Sequence, residues 1–138
     1  MIAVIDSSAL LRLFIPDGPV PVGLESFMRG VERGNHVAIA PELTIVESVN
    51  VIVKKQRHRE LSEAEAEELV SLLHLVPIRY HRHHSLMVAS YSVAIKTGLS
   101  AYDALFLALA LDRGVPLFTA DDKLQKVVIQ MGLLPTAE

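Results

Sequence analysis

The sequence predicts an α/β fold, a single-domain α/β/α sandwich built on a mostly parallel sheet of four or five strands. Three observations carry this. Short, apolar, strand-like runs alternate with longer helical ones along the whole chain. Those strand-like runs lack the in–out alternation of a half-exposed sheet, as strands covered on both faces do. No internal repeat, low-complexity segment or linker divides residues 1–138, and 138 residues suffice for one buried core.

The elements follow in order. Ile2–Ile5 is β-branched and apolar and predicts the first strand. Ser7 to Ile15 reads as a short helix stopped by Pro16, and Asp17-Gly18-Pro19 as a loop. Val22 to Arg33 reads as a helix closed by Gly34. His36 to Ala40 is the second strand, after which Pro41 opens a helix reaching Arg57. Ser62 and Glu65 have the spacing of a capping box, starting a helix that runs to about Leu73. Leu75 to Tyr80 is a third strand, Ser85 to Thr97 and Ser100 to Arg113 are helices ended by Gly98 and Gly114, and Pro116 to Thr119 is a fourth strand. Asp121 to Met131 forms the last helix, and Leu133-Leu134 supplies a short edge strand. The helix containing residues 104–111 is apolar on nearly every side and is expected deep in the core, with Asp103 near the buried centre.

Composition sets limits. The chain is 51% apolar and 21% charged, which fits a folded protein. It has no apolar run of membrane-spanning length and no visible signal peptide, so a cytoplasmic protein without a membrane partner is expected. With no cysteine, disulfides, thiolate metal sites and a cysteine nucleophile are excluded. A net charge of −3 does not suit non-specific coating of nucleic acid, so any such contact must use local basic patches.

Four acids stand out, each with an ordinary reading beside it. Asp6 and Asp121 directly follow the first and fourth strands and can serve as helix N-caps. Parallel strands nevertheless bring both to one sheet edge, the edge at which open α/β sheets bind ligands. Asp103 lies three residues after Ser100, again a capping-box spacing, but heads a very apolar helix where an acid needs a partner. Glu47 could be a solvated surface charge. Yet Glu47 and Asn50 interrupt an apolar run at a spacing that shares one helix face. Four acids close together would repel, and a hard cation with oxygen ligands removes that cost. Mg²⁺ (or Mn²⁺) fits such a set and leaves room for phosphate oxygens, which points to phosphodiester hydrolysis.

These segments resemble a known family. Val4-Ile5-Asp6-Ser7-Ser8-Ala9-Leu10 is similar to the opening hydrophobic-Asp-x-Ser motif of PIN-domain ribonucleases of the VapC type, the toxins of toxin–antitoxin pairs. The Glu47 helix with Asn50, the segment Leu99-Ser100-Ala101-Tyr102-Asp103-Ala104-Leu105, and the Thr-x-Asp-x-x-Leu pattern of Thr119-Ala120-Asp121-Asp122-Lys123-Leu124 resemble the remaining motifs, in order. The resemblance implies a PIN-like fold and an endoribonuclease whose metal ligands and catalytic acids are Asp6, Glu47, Asp103 and Asp121. Ser7, Asn50 and Thr119 would be polar supports. It further implies a homodimer and an antitoxin that blocks the site. Asp121 is chosen over its neighbour Asp122 by motif alignment alone.

Arg12, Lys54, Lys55, Arg57 and Arg82 are the candidates for RNA contact, with Tyr80 available for stacking. The ordinary reading of both basic clusters is a solvated helix end and loop. His81, His83 and His84 lack a helical zinc spacing and read as a surface loop. Two other functions compete with the nuclease. One is a catalytically silent PIN-like module that binds RNA or protein. The other is a phospho-acceptor or phosphatase-like domain, against which stand the missing Asp after the third strand and Ser8 where a second Asp is needed.

Overall fold

A computed structural model describes residues 1–136. Four parallel strands form one sheet: β1 (Ile2–Ile5), β2 (Val37–Pro41), β3 (Ile78–His81) and β4 (Leu117–Phe118), in the order β3-β2-β1-β4. The helices are α1 (Ser7–Arg12), α2 (Leu24–Glu32), α3 (Leu43–Arg57), α4 (Glu63–Leu75), α5 (Met87–Thr97), α6 (Ala101–Arg113) and α7 (Asp122–Gln130), with a 3₁₀ turn at His84–Leu86 before α5. No single helix among the described residues is long and apolar enough to cross a membrane.

Alternation along β1 divides the core. Ala3 and Ile5 face a cluster with Leu10, Leu24, Phe27 and Ile52, so α1 to α4 cover that side. Val4 faces the other cluster, with Phe106, Leu107, Leu117, Leu124 and Val128, so α6 and α7 cover this one. The connections through α1 and α2 and through α3 and α4 step from β1 to β2 to β3 in one direction, whereas α5 and α6 carry the chain back to β4 on the far side of β1. The strand order therefore reverses at β1, and a crevice opens where the carboxyl ends of β1 and β4 diverge, the place where open α/β sheets take ligands.

Three sequence expectations change. Pro41 ends β2 rather than opening α3. Glu42 N–H bonds the His81 carbonyl at 3.0 Å, so Pro41 turns its missing donor toward β1, just beyond the last β1–β2 pairing at Val4 and Ile39. Leu133-Leu134 forms no strand. Leu133 N–H is drawn back to the Val128 carbonyl (3.0 Å) to close α7, leaving only its own carbonyl to accept from Leu117 N–H (3.0 Å). Asp103 is half-buried at the first turn of α6 rather than central, because the buried part of that helix begins at Ala104.

α3 carries one side of the crevice and is seated by Thr44, Ser48 and Ile52, which are buried one turn apart. Thr44 Oγ1 and Ser48 Oγ find no hydrogen-bond partner among the described residues. A buried unpaired hydroxyl costs about 1–3 kcal/mol relative to a matched apolar group. Thr44→Val is therefore expected to raise the thermal midpoint by a few degrees in a melting experiment, and a lowered midpoint would show that the hydroxyl is satisfied in solution.

Candidate active site

The four acids arrive from four elements. Asp6 follows β1 in an extended conformation (φ −84, ψ 172) and caps α1, its Oδ1 accepting from Ala9 N–H at 2.8 Å. Asp121 follows β4 and caps α7, its Oδ1 accepting from Leu124 N–H at 2.8 Å. Asp103 sits in the first turn of α6, where Ser100 Oγ accepts its N–H at 3.2 Å. Glu47 comes from the second turn of α3. All four line one cavity of about 280 Å³ at the crevice, together with Ser7, Ser8 and Asn50 and an apolar wall of Leu11, Val51 and Phe106. The capping roles of Asp6 and Asp121 are thus present and do not keep either acid from the shared cavity.

A scaffold of hydroxyls fixes these carboxylates. Thr119, buried at the end of β4, donates to Asp6 Oδ2, and its oxygen accepts from Asp121 N–H at 3.0 Å. Ser8 donates to Asp6 Oδ1 at 2.7 Å, and its oxygen accepts from Ala120 N–H at 2.9 Å. Both hydroxyls therefore stitch the turn after β1 to the turn after β4. Ser7 faces the opposite way and donates to Glu47 Oε1 at 2.8 Å, tying α1 to α3. Ser8 went unassigned in the sequence reading, although it is the serine of the Asp-x-Ser motif.

The electrostatics are those of crowded acids. Asp6 is 4% exposed, and burial pushes its carboxyl up to about 6, against the opposing bonds from Thr119, Ala9 and Ser8; the Asp103 charge adds to the rise. Burial also raises Glu47, with Ser7 opposing and the Asp103 charge adding. Asp103 is raised by burial and then by Asp121, while the Ser100 hydroxyl and the Lys123 charge work the other way. Such a set suits a hard divalent cation: its donors are all oxygen, and its negative charges are partly desolvated and mutually repelling. Among the described residues no three acids or histidines form a ready-made cage. Mg²⁺ does not require one, since it takes one or two carboxylates and fills its sphere with water and phosphate oxygens.

The basic candidates fare differently. Arg12 does not line the acidic cavity; its guanidinium packs over Gly18, about 3.0 Å from where a β-carbon would stand. Lys55 is engaged by Asp17 at 2.8 Å and Glu60 at 3.8 Å, holding the loop after α1 against the end of α3. Lys54, Arg57 and Arg82 are exposed and lie outside the cavity lining. Asp122 points into a separate groove with Pro19, Val20 and Gln125. His81 ends β3 and contacts Arg113 at 3.2 Å. Lys123, near enough to bear on Asp103, was not singled out by sequence; its only signal was its place two residues after Asp121.

A carboxyl harder to ionise in the folded chain than in the unfolded one favours folding while it is protonated in both states. That contribution is complete below the ordinary value of 3.8 and is lost as pH rises through about 6. The difference amounts to on the order of 3 kcal/mol. In EDTA at pH 7.5, Asp6→Asn should therefore melt several degrees above the wild type, and the gap should close near pH 4. A variant less stable at both pH values would show that the capping and hydroxyl bonds outweigh the burial of charge.

The family model of the PIN domain matches residues 3–129 of this chain. Ribonuclease VapC3 of Pyrobaculum aerophilum is 28% identical over 123 residues, spanning 88% of this chain and 90% of that protein. Ribonuclease VapC1 of Mycobacterium tuberculosis is 27% identical over 122 residues, spanning 88% and 86%. The fold is shared with Mycobacterium tuberculosis VapC20, described as a sarcin–ricin loop cleaving toxin, at a TM-score of 0.66 and 12% identity over 99% of both chains. With the PIN-domain model matching residues 3–129, this chain belongs to the PIN domain family.

Proposed function

We propose that this protein is an Mg²⁺- or Mn²⁺-dependent endoribonuclease acting as the toxin of a VapBC-type pair. The observation that carries the reading is the convergence of Asp6, Glu47, Asp103 and Asp121, from four separate elements, on one cavity at the reversal of the strand order. The ribonuclease names of two relatives aligned over 88% of the chain support RNA as the substrate.

The four acids would hold the ion, which when bound lowers the pKa of water and offsets charge on the leaving oxygen. The chain's own contribution is placement. Thr119 and Ser8 fix both oxygens of Asp6, Ser7 fixes one oxygen of Glu47, and Asn50 adds a polar edge beside it. Leu11, Val51 and Phe106 give the cavity an apolar wall, which would lower the local dielectric and strengthen charge interactions beside it. Lys54, Arg57 and Arg82 are the remaining candidates to contact phosphates outside the cavity. A cytoplasmic location would be in keeping with an RNA substrate. An antitoxin would act by covering the same cavity.

Purified protein with Mg²⁺ or Mn²⁺ is expected to cut RNA internally, and EDTA to stop it. Asp6→Asn or Asp103→Asn should reduce turnover by more than the roughly 10–100-fold seen when an outer partner of a metal ligand is lost. RNA binding without cleavage at any metal concentration would instead support the silent binding module.

A homodimer is part of the same proposal. Met87, Val88, Tyr91 and Ile95 are 63–79% exposed and run along one face of α5, an apolar stripe of the kind that marks an interaction surface. Val88→Glu should convert the protein to a monomer in light scattering while leaving the helix content unchanged. A dimer that survives the substitution would move the interface elsewhere.

A further inference from the structure

Lys123 stands beside the acidic cavity without lining it. It lies in the first turn of α7, two residues after Asp121, and its ammonium donates to the Gly98 carbonyl at 2.8 Å. Gly98 ends α5 in the left-handed conformation (φ 75); buried Leu99 and the α6 cap Ser100 follow. The chain bends by 112° between the helical stretch 84–97 and α6 at this corner. Asp103 lies one turn beyond it. Through this bond the Lys123 side chain links the helix capped by Asp121 to the corner that precedes Asp103.

The need for such a link is physical. Asp103 and Asp121 belong to the N-terminal ends of different helices and line the same cavity, so their like charges repel. Residues 98–100 form a short connection around a glycine, the kind of segment able to absorb a rotation. Leu99 shares a buried cluster with Leu124 and Val128 of α7, and the Lys123 bond adds an outer tie against that repulsion.

We propose that Lys123 is a positioning residue of the acidic centre, a strut that holds the α5–α6 corner against α7 so that Asp103 and Asp121 face the same ion. The inference rests on the metal-dependent reading given above. It differs in sign from simple electrostatics. A positive charge near a cation site repels the cation, so a purely Coulombic lysine would weaken metal binding and its removal would tighten it. A strut does the opposite.

The experiment compares the wild type, Lys123→Met and Lys123→Arg in two measurements. In Mn²⁺ titration by calorimetry, Lys123→Met should bind roughly tenfold more weakly, the low end of the loss when an outer partner of a metal ligand is removed. Lys123→Arg, which keeps the donor and the charge, should bind nearly as the wild type does. In hydrogen exchange without metal, the amides of residues 99–104 should exchange faster in Lys123→Met and recover in Lys123→Arg. Equal or tighter Mn²⁺ binding by Lys123→Met overturns the strut, as does unchanged exchange at the corner. If the wild type and Asp103→Asn take up Mn²⁺ alike, the metal reading fails by itself, and the exchange measurement alone decides whether Lys123 holds the corner.

Discussion

The carboxylate of Asp6 is the group on which the rest of the site depends. It is almost completely buried and receives bonds from Ala9 N–H, the Ser8 hydroxyl and the Thr119 hydroxyl, joining the turn after β1 to the turn after β4. Three donors are a large share of what a carboxylate can accept, yet burial still lifts its pKa to about 6. The fold thus holds a charge it does not fully compensate. That is the pattern of a site whose missing compensation comes from a ligand, since a buried charge persists only when paired.

Topology supplies part of the compensation. Asp6, Asp121 and Asp103 each lie at the N-terminus of a helix, α1, α7 and α6. The N-terminal end of a helix carries partial positive charge, worth roughly 0.3–1 kcal/mol to a nearby anion. Two of these ends, at α1 and α7, follow β1 and β4, which as parallel strands deliver the chain to one sheet edge; α6 follows α5 and leads back into β4, which brings its N-terminus to the same cavity. Glu47 has no helix end to rely on and takes its bond from Ser7 instead. The same geometry therefore gathers the acids and softens their repulsion, yet burial above all, with a neighbouring charge adding to it, still leaves Asp6, Glu47 and Asp103 hard to ionise.

Most of this was legible in the sequence, for identifiable reasons. Apolar strand runs and capping residues are local signals, and they located β1, the start of α4 at Ser62 and the helix ends at Gly98 and Gly114. Acids placed directly after strands are also local, which is why Asp6 and Asp121 could be paired before any coordinates. What failed was non-local. Pro41 carries the same local signal at the end of a strand as at the start of a helix, and only the side on which β1 lies decides between them. The roles of Ser7 and Ser8 depend on which of two neighbours faces α3 and which faces β4. Lys55 looked available because its partner Asp17, 38 positions earlier in the chain, is reached only through the fold. Lys123 was overlooked because its bond to Gly98 spans 25 residues.

Charge distribution then constrains how a polyanion could reach the site. The chain carries a net charge of −3, its cavity is acidic, and one of its candidate cations, Lys55, is committed to an internal ion pair with Asp17. Long-range attraction cannot be the main source of affinity, because proteins that bind nucleic acid through their overall field neutralise many phosphates at once. Lys54, Arg57 and Arg82 can anchor only a few phosphates, and binding through so few falls off gently with salt. On the proposed reading, affinity would come instead from the immediate neighbourhood of the cleaved bond, where a bound divalent cation would offset part of the cavity's negative charge and offer a phosphate oxygen a direct partner. An acidic protein with this centre is thereby protected from indiscriminate contact with nucleic acid. On the proposed reading its main hold on a strand would lie where the backbone enters the crevice between β1 and β4, with Lys54, Arg57 and Arg82 adding a few phosphate contacts outside it.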